Sequence, residues 1–211
     1  MGRRDDVSAH PHEQMTRPMI DPLAHWLVAL FLAGFFLAGG LHKFRDFERF
    51  VSLLGKYDVV RPDLLAPAAG LVVAVEATIG LALLTSLLFP QLRILGMGGF
   101  AAGAALLFAY LLLMAYSLAR GNREIDCGCS FHKQRSLIST WHLCRNGVLI
   151  LICLAGVLPV TARELQTIDW LHLPLMLSAA GMLYVLVDTL LANRSYLTPD
   201  SEQHDQFSRS F

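Results

Sequence analysis

Cys127 and Cys129, with only Gly128 between them, are the residues of this chain best suited to chemistry. Two thiols so close can join in a small, strained disulfide or hold a soft metal, and the glycine permits the tight backbone that brings the sulfurs together. Strained, exposed disulfides are the labile kind that exchange rather than brace. Arg123, Lys133 and Arg135 favour the thiolate, and Asp126 opposes it. Redox or thiol exchange is the first reading, beside metal binding and two incidental thiols. A metal would need His132 and His142 to complete a Cys2His2 set. One intervening residue is short for zinc, whose cysteine pairs usually have about two to four between them. No metal and no cofactor are assigned.

Glu76 is the second feature, near the middle of an apolar run in Val75-Glu76-Ala77-Thr78-Ile79-Gly80. A charge at a bilayer centre costs about 2.5–3.5 kcal/mol on insertion scales, so Glu76 must face a bundle interior. It can serve as a proton relay, as the partner of a cation, as a polar contact to a quinone, or as an inter-helix hydrogen bond. Cys144 and Cys153 are nine residues apart on one apolar helix. At about 100° and 1.5 Å per residue they point to opposite faces, about 13 Å apart, and cannot bond to each other. Cys144 lies close to the membrane surface and reads first as an ordinary buried cysteine, with a relay to the loop pair as the alternative; Cys153 reads as packing. His25 and Asp188 sit near span ends and read as structural.

The elements that position these groups follow from composition. The chain has 211 residues, is 55% hydrophobic and 16% charged, and has a mean hydropathy of +0.49. Soluble domains average about 25% charged residues, so the deficit points to lipid. Five apolar stretches are long enough to consider as spanning helices: Leu23–Leu41, Leu64–Phe89, Ile94–Leu118, Leu143–Val160 and Trp170–Leu191. The fourth carries Arg145 and Asn146 near its start, where Arg145 is expected to snorkel to the headgroups. The first reads as a retained helix, since a long polar segment precedes it and no small-residue cleavage site follows. The fold class is all-α, a polytopic membrane bundle. The formal net charge is zero, which gives no reason to expect nucleic acid; lipid is the expected surrounding.

Residues 1–22 and 196–211 read as polar tails. Between the first two spans, about residues 43–57, Phe44, Phe47, Val51 and Leu54 recur at spacings of three and four. Lys43, Asp46, Arg49 and Lys56 fill the other faces, which predicts an amphipathic helix flat on the membrane. Gly96, Gly99 and Gly103 form a small-residue face on the third span, and Gly34 and Ala38 form one on the first. Internal packing is the reading taken, with self-dimerisation the alternative. Lys and Arg of the first loop, the third loop and the C-terminal tail outnumber Arg3, Arg4, Arg17, Arg93 and Arg163 on the other side. The positive-inside rule therefore puts the cysteine loop, residues 119–142, on the cytoplasmic face. Disulfide chemistry by itself favours an oxidising compartment instead.

Gly40, Lys43, Phe50, Leu54 and Tyr57, followed by Glu76 and Gly80, resemble the opening of DoxX-like membrane proteins. Cys127-Gly128-Cys129 after the third span, then Trp141, Arg145 and Asn146, narrow the resemblance to the MauE family over about residues 23–160. Ser130 departs from the pattern, in which an aromatic residue often follows the second cysteine directly. The resemblance implies a four-helix DoxX/MauE-like core; the fifth transmembrane helix, within 161–195, follows from the apolar pattern and lies outside the matched part. It also implies a multi-pass protein of the bacterial inner membrane that assists maturation of a disulfide-rich periplasmic client beside a thioredoxin-like partner. Cys127 and Cys129 would be its redox pair, with Glu76 in a buried polar or proton role and Cys144 as a possible relay. Such a protein is at most a thiol-disulfide accessory and is not itself a methylamine dehydrogenase. The rivals are a quinone-binding or carrier subunit that works through Glu76, and a purely structural assembly subunit.

Overall fold

The computed structural model describes residues 19–120 and 140–197. Six helices account for most of them: α1 (Pro22–Arg45), α2 (Phe47–Lys56), α3 (Leu65–Leu88), α4 (Arg93–Ala119), α5 (Thr140–Gly156) and α6 (Thr167–Leu197). Short 3-10 turns at Pro62–Leu64 and Pro90–Leu92 lead into α3 and α4, each opened by a proline whose missing N–H costs nothing there. No strand occurs among the described residues beyond one isolated bridge between Ile20 and Val160.

The spans Pro22–Arg45, Pro62–Leu88, Pro90–Ala119 and Thr167–Val187 are long and apolar enough to cross a membrane. The protein is a multi-pass, all-α bundle. The expected fourth span differs in length. Gly156 ends α5, and its apolar part, Leu143–Gly156, is shorter than the roughly 20 residues that cross a bilayer unaided. The helix stops because Val157 and Leu158 turn back onto Leu154 and Ala155, and Pro159 then donates no hydrogen bond.

Helices α1, α3, α4 and α5 share one core. Ala29, Leu32, Ala33 and Phe36 of α1 repeat at helical spacing and meet Ile79 and Leu83 of α3, Phe100 and Leu107 of α4, and Leu149 and Cys153 of α5. Their close approach depends on glycine. A Cβ on Gly80 would lie 2.5 Å from Leu37 Cγ and 3.2 Å from the Ala33 carbonyl oxygen. One on Gly103 would lie 3.0 Å from the Phe36 ring. Gly96, Gly99 and Gly103 thus pack internally, as expected. Gly34 does not: nothing lies within 4 Å of its Cβ position, and it faces outward. Helix α6 packs mainly on α1 and turns most of its apolar side chains outward, which lipid tolerates.

At the end of the bundle opposite the α4–α5 connection, an ionic clamp joins three segments. Asp21 caps α1 through Leu23 N at 2.8 Å. Arg163 donates two hydrogen bonds of 3.0 Å to Asp21 and a third of 3.0 Å to Asp169 at the start of α6. The Arg163 guanidinium, helped by the Leu23 amide, holds the Asp21 carboxyl below its usual range.

Two expectations follow. Gly80→Ala forces Leu37 and the α1–α3 crossing apart and is expected to cost about 1–3 kcal/mol, read as a lower thermal midpoint in detergent. Arg163→Gln is expected to lower that midpoint modestly at neutral pH. Because the folded Asp21 carboxyl is depressed, the clamp stabilises above the ordinary aspartate range of about 4 and is lost as pH falls through the lower folded value. The difference between wild type and Arg163→Gln should therefore vanish in acid.

Candidate functional site

The buried stripe of α1 does not end with its apolar residues. Phe36, Gly40 and Lys43 continue one face at spacings of four and three, so Lys43, in the last turn, points into the bundle. Glu76 occupies the matching stripe of α3 with Ala69, Gly80, Leu83 and Leu87. Tyr110 follows Gly103 and Leu107 on α4 and precedes Met114 and Ser117.

These three side chains meet. Lys43 is 5% exposed and Glu76 is 3% exposed. Lys43 Nζ donates to Glu76 Oε1, and Tyr110 Oη donates to the same oxygen at 2.7 Å. Lys43 Nζ also donates to Tyr110 Oη at 3.2 Å. The Nζ atom lies 4.9 Å from the Tyr110 ring centroid and 5.5 Å from that of Phe50 on α2. A cation, an anion and a phenol from α1, α3 and α4 thus neutralise one another inside the bundle, with an aromatic ring over the cation. Of the roles open to Glu76, the partner of a cation and the inter-helix hydrogen bond are both found.

Lys43 therefore does not lie on the polar face of a surface helix. The amphipathic helix begins at Phe47, because the chain leaves helical geometry at Asp46 (φ −111°, ψ 47°). Phe44, expected on its apolar face, belongs to α1 and is exposed. In α2 the buried residue is Leu53. Sequence reasoning missed Lys43 and Tyr110 as partners of Glu76. The signal was available in the Phe36–Gly40–Lys43 spacing, which carries a core stripe into a charged residue.

Arg145 was expected to snorkel, but it is 6% exposed, with its guanidinium carbon 5.8 Å from the Tyr184 ring of α6. Asn146 is also buried, and its Nδ2 reaches Met114 Sδ of α4 at 3.8 Å. The Arg-Asn pair thus ties α5 to both neighbours. Removing Lys43 and Arg145 from the loop charges leaves the balance of basic residues on the same side as before. Cys153 is fully buried in the core beside Gly103 and Phe36, as read from sequence. Cys144 is exposed on α5, which corrects the expectation of an ordinary buried thiol. Both are free. His25 stacks edge-on against Phe100, with ring centroids 5.5 Å apart. Cys127, Cys129 and His132 lie outside the described residues, as do the side chains of His142 and Asp188; α4 and α5 bracket the cysteine pair in sequence.

The family model described as methylamine utilisation protein MauE matches residues 21–159, which takes in α1 through α5. The chain belongs to the MauE family. It is 30% identical to methylamine utilization protein MauE of Paracoccus denitrificans over 178 residues, covering 84% of this chain and 91% of that protein. It is 32% identical over 157 residues to the MauE protein of Paracoccus versutus, covering 74% and 80% respectively. The corresponding protein of Methylophilus methylotrophus is 31% identical over 109 residues, or 52% of this chain and 54% of the relative. No solved structure matches the chain significantly. The matched MauE region contains every residue of the buried cluster, together with the cysteine pair.

Breaking the buried pair from one side strands a charge. Lys43→Met is expected to cost about 3–5 kcal/mol, whereas Lys43→Met/Glu76→Met should recover most of that loss, because apolar replacements of both partners are often neutral. Thermal unfolding of the three proteins in one detergent measures the difference.

Proposed function

We infer that this MauE-family protein is a thiol-disulfide accessory of the bacterial inner membrane that assists maturation of a disulfide-rich periplasmic client in methylamine utilisation. The observation that carries the reading is the Cys127-Gly128-Cys129 pair, set between α4 and α5 of a chain whose relatives are named for methylamine utilisation. A thioredoxin-like protein is the proposed exchange partner. One thiolate attacks the partner's disulfide, forming a mixed disulfide and releasing one partner thiolate. The second cysteine then attacks the mixed bond, leaving Cys127–Cys129 oxidised and the partner fully reduced. The reverse sequence carries two electrons the other way.

Three further features support a membrane-anchored exchanger over a self-contained enzyme. The sequence carries no nucleotide-binding glycine-loop motif. The two helices that flank the cysteine-bearing connection are joined by Asn146 Nδ2 of α5, which donates to Met114 Sδ of α4 at 3.8 Å. The exposed Cys144, near the start of α5, is proposed as a third thiol within reach of an exchange relay.

Serine at both Cys127 and Cys129 is expected to abolish accumulation of mature client in cells, while the variant still inserts at wild-type abundance. Serine at one of them should trap a mixed disulfide that is visible on non-reducing gels and cleared by reductant. Normal client maturation in the double variant, combined with a severe defect in Glu76→Gln, would sink this reading in favour of a carrier or quinone-binding subunit that works through Glu76.

A further inference from the structure

A polar cavity of about 30 Å³ lies among the helix ends on the Asp21 side of the bundle. His25 of α1, Ser86 of α3 and Arg93 of α4 line it, and the end of α5 at Gly156 closes one side. Its walls are close-set. A Cβ on Gly96 would stand 2.5 Å from Ser86 Oγ, and one on Gly156 would stand 2.4 Å from the Phe100 ring. About 10–15 Å³ is enough for one water, so there is room for two guests of that size.

Two of the polar groups around this space find no bonding partner among the described residues. His25 Nδ1 is buried and without a hydrogen bond, while the imidazole is held edge-on against Phe100 with ring centroids 5.5 Å apart. Arg93 makes neither a hydrogen bond nor an ion pair among the described residues. A buried polar atom left bare is costly, so the cavity calls for a polar guest.

The charge of that guest follows from the lining. Helices α1 and α4 begin here while α3 and α5 end, so their dipoles oppose one another. No carboxylate lines the cavity among the described residues, and Arg93 is the charged side chain that does. Asp21, one turn before His25, is already held by Arg163. A guanidinium at the edge of an apolar bundle gains most from a negative partner. With its proton on Nδ1, the neutral imidazole donates to the same partner. Ser86 Oγ gives its proton to the Leu83 carbonyl at 2.8 Å and is left as an acceptor, which suits a water beside an ion. Arg93 is exposed as well as lining the cavity, so an ion can enter from outside the bundle.

We propose that His25 and Arg93 form a binding site for a monatomic anion of the chloride class, which joins α1 to α4 at the end of the bundle away from the cysteine pair. The guanidinium supplies the charge, the imidazole N–H fixes the position, and one water fills the rest. A tetrahedral oxyanion is too large for about 30 Å³. The site makes no use of Glu76 or of the thiols and stands apart from the thiol-exchange reading.

The test uses the full chain in nanodiscs of zwitterionic phospholipid. Chloride nuclear magnetic resonance reads binding as broadening of the ion's line, with gluconate keeping the ionic strength constant. The wild type is expected to broaden the line, and Arg93→Gln and His25→Phe are each expected to reduce that broadening at least threefold. Replacing gluconate by chloride should also raise the thermal midpoint of the wild type by several degrees and leave that of Arg93→Gln unchanged, since a ligand held only by the folded state stabilises it. Both readouts in the wild type are independent of whether a variant folds. A wild type that neither broadens the line nor responds to chloride holds water alone, and the proposal fails. Broadening that falls in Arg93→Gln but ignores His25→Phe marks an adventitious ion only, bound at the surface, and overturns the cavity site.

Discussion

One constraint organises the rest of the bundle: two opposite charges must find each other in a place where neither can reach water. Lys43 and Glu76 come from helices that run in opposite directions, and Tyr110 adds a third helix to the same point. In lipid there is little hydrophobic drive to choose one helix register over another, so a polar contact of this kind selects it. Sliding α1 by one turn against α3 moves the ammonium about 5.4 Å along the axis and leaves both charges stranded. Glycines at the crossing points let the selected register close, since Gly80 accepts Leu37 and Gly103 accepts the Phe36 ring.

Much of this was visible in the order of residues. Span length and apolar content placed α1, α3, α4 and α6, because burial in lipid writes itself into composition over some twenty consecutive positions. Glu76 stood out for the same reason, as a charge where none is cheap. Its partner did not. A lysine that closes an apolar run looks identical whether it snorkels outward or turns inward, and only the packing of α2 and α4 around it decides. Arg145 illustrates the same ambiguity: its long stem could reach the headgroups, yet the Tyr184 ring offers a surface within the bundle. Gly34 went the other way, since a small residue permits close approach without ensuring that a neighbour arrives. The cysteine pair was the clearest chemical signal in the chain, and it depends on residue type and spacing alone.

The two ends of the molecule are built on different principles. At the Asp21 end, Arg163 gathers acidic groups in partly wetted surroundings and fastens the start of α1 to the start of α6. Such exposed contacts are individually weak and screened by salt. At the other end, the buried cluster is dry and lies under a short helix between two bends. Stiffness is thus concentrated in the crossings of α1, α3 and α4, and the lighter element rests at the end nearest the cysteine-bearing connection.

The brevity of α5 has a consequence for the surrounding lipid. Its 17 residues rise about 25 Å, against roughly 30 Å of hydrocarbon, while its neighbours are long enough for the full thickness. A short segment is accommodated by thinning of the bilayer around it, and Arg145, turned inward, does nothing to extend it. The flank formed by α5 thus matches a hydrocarbon layer about 5 Å thinner than the one its neighbours can cross.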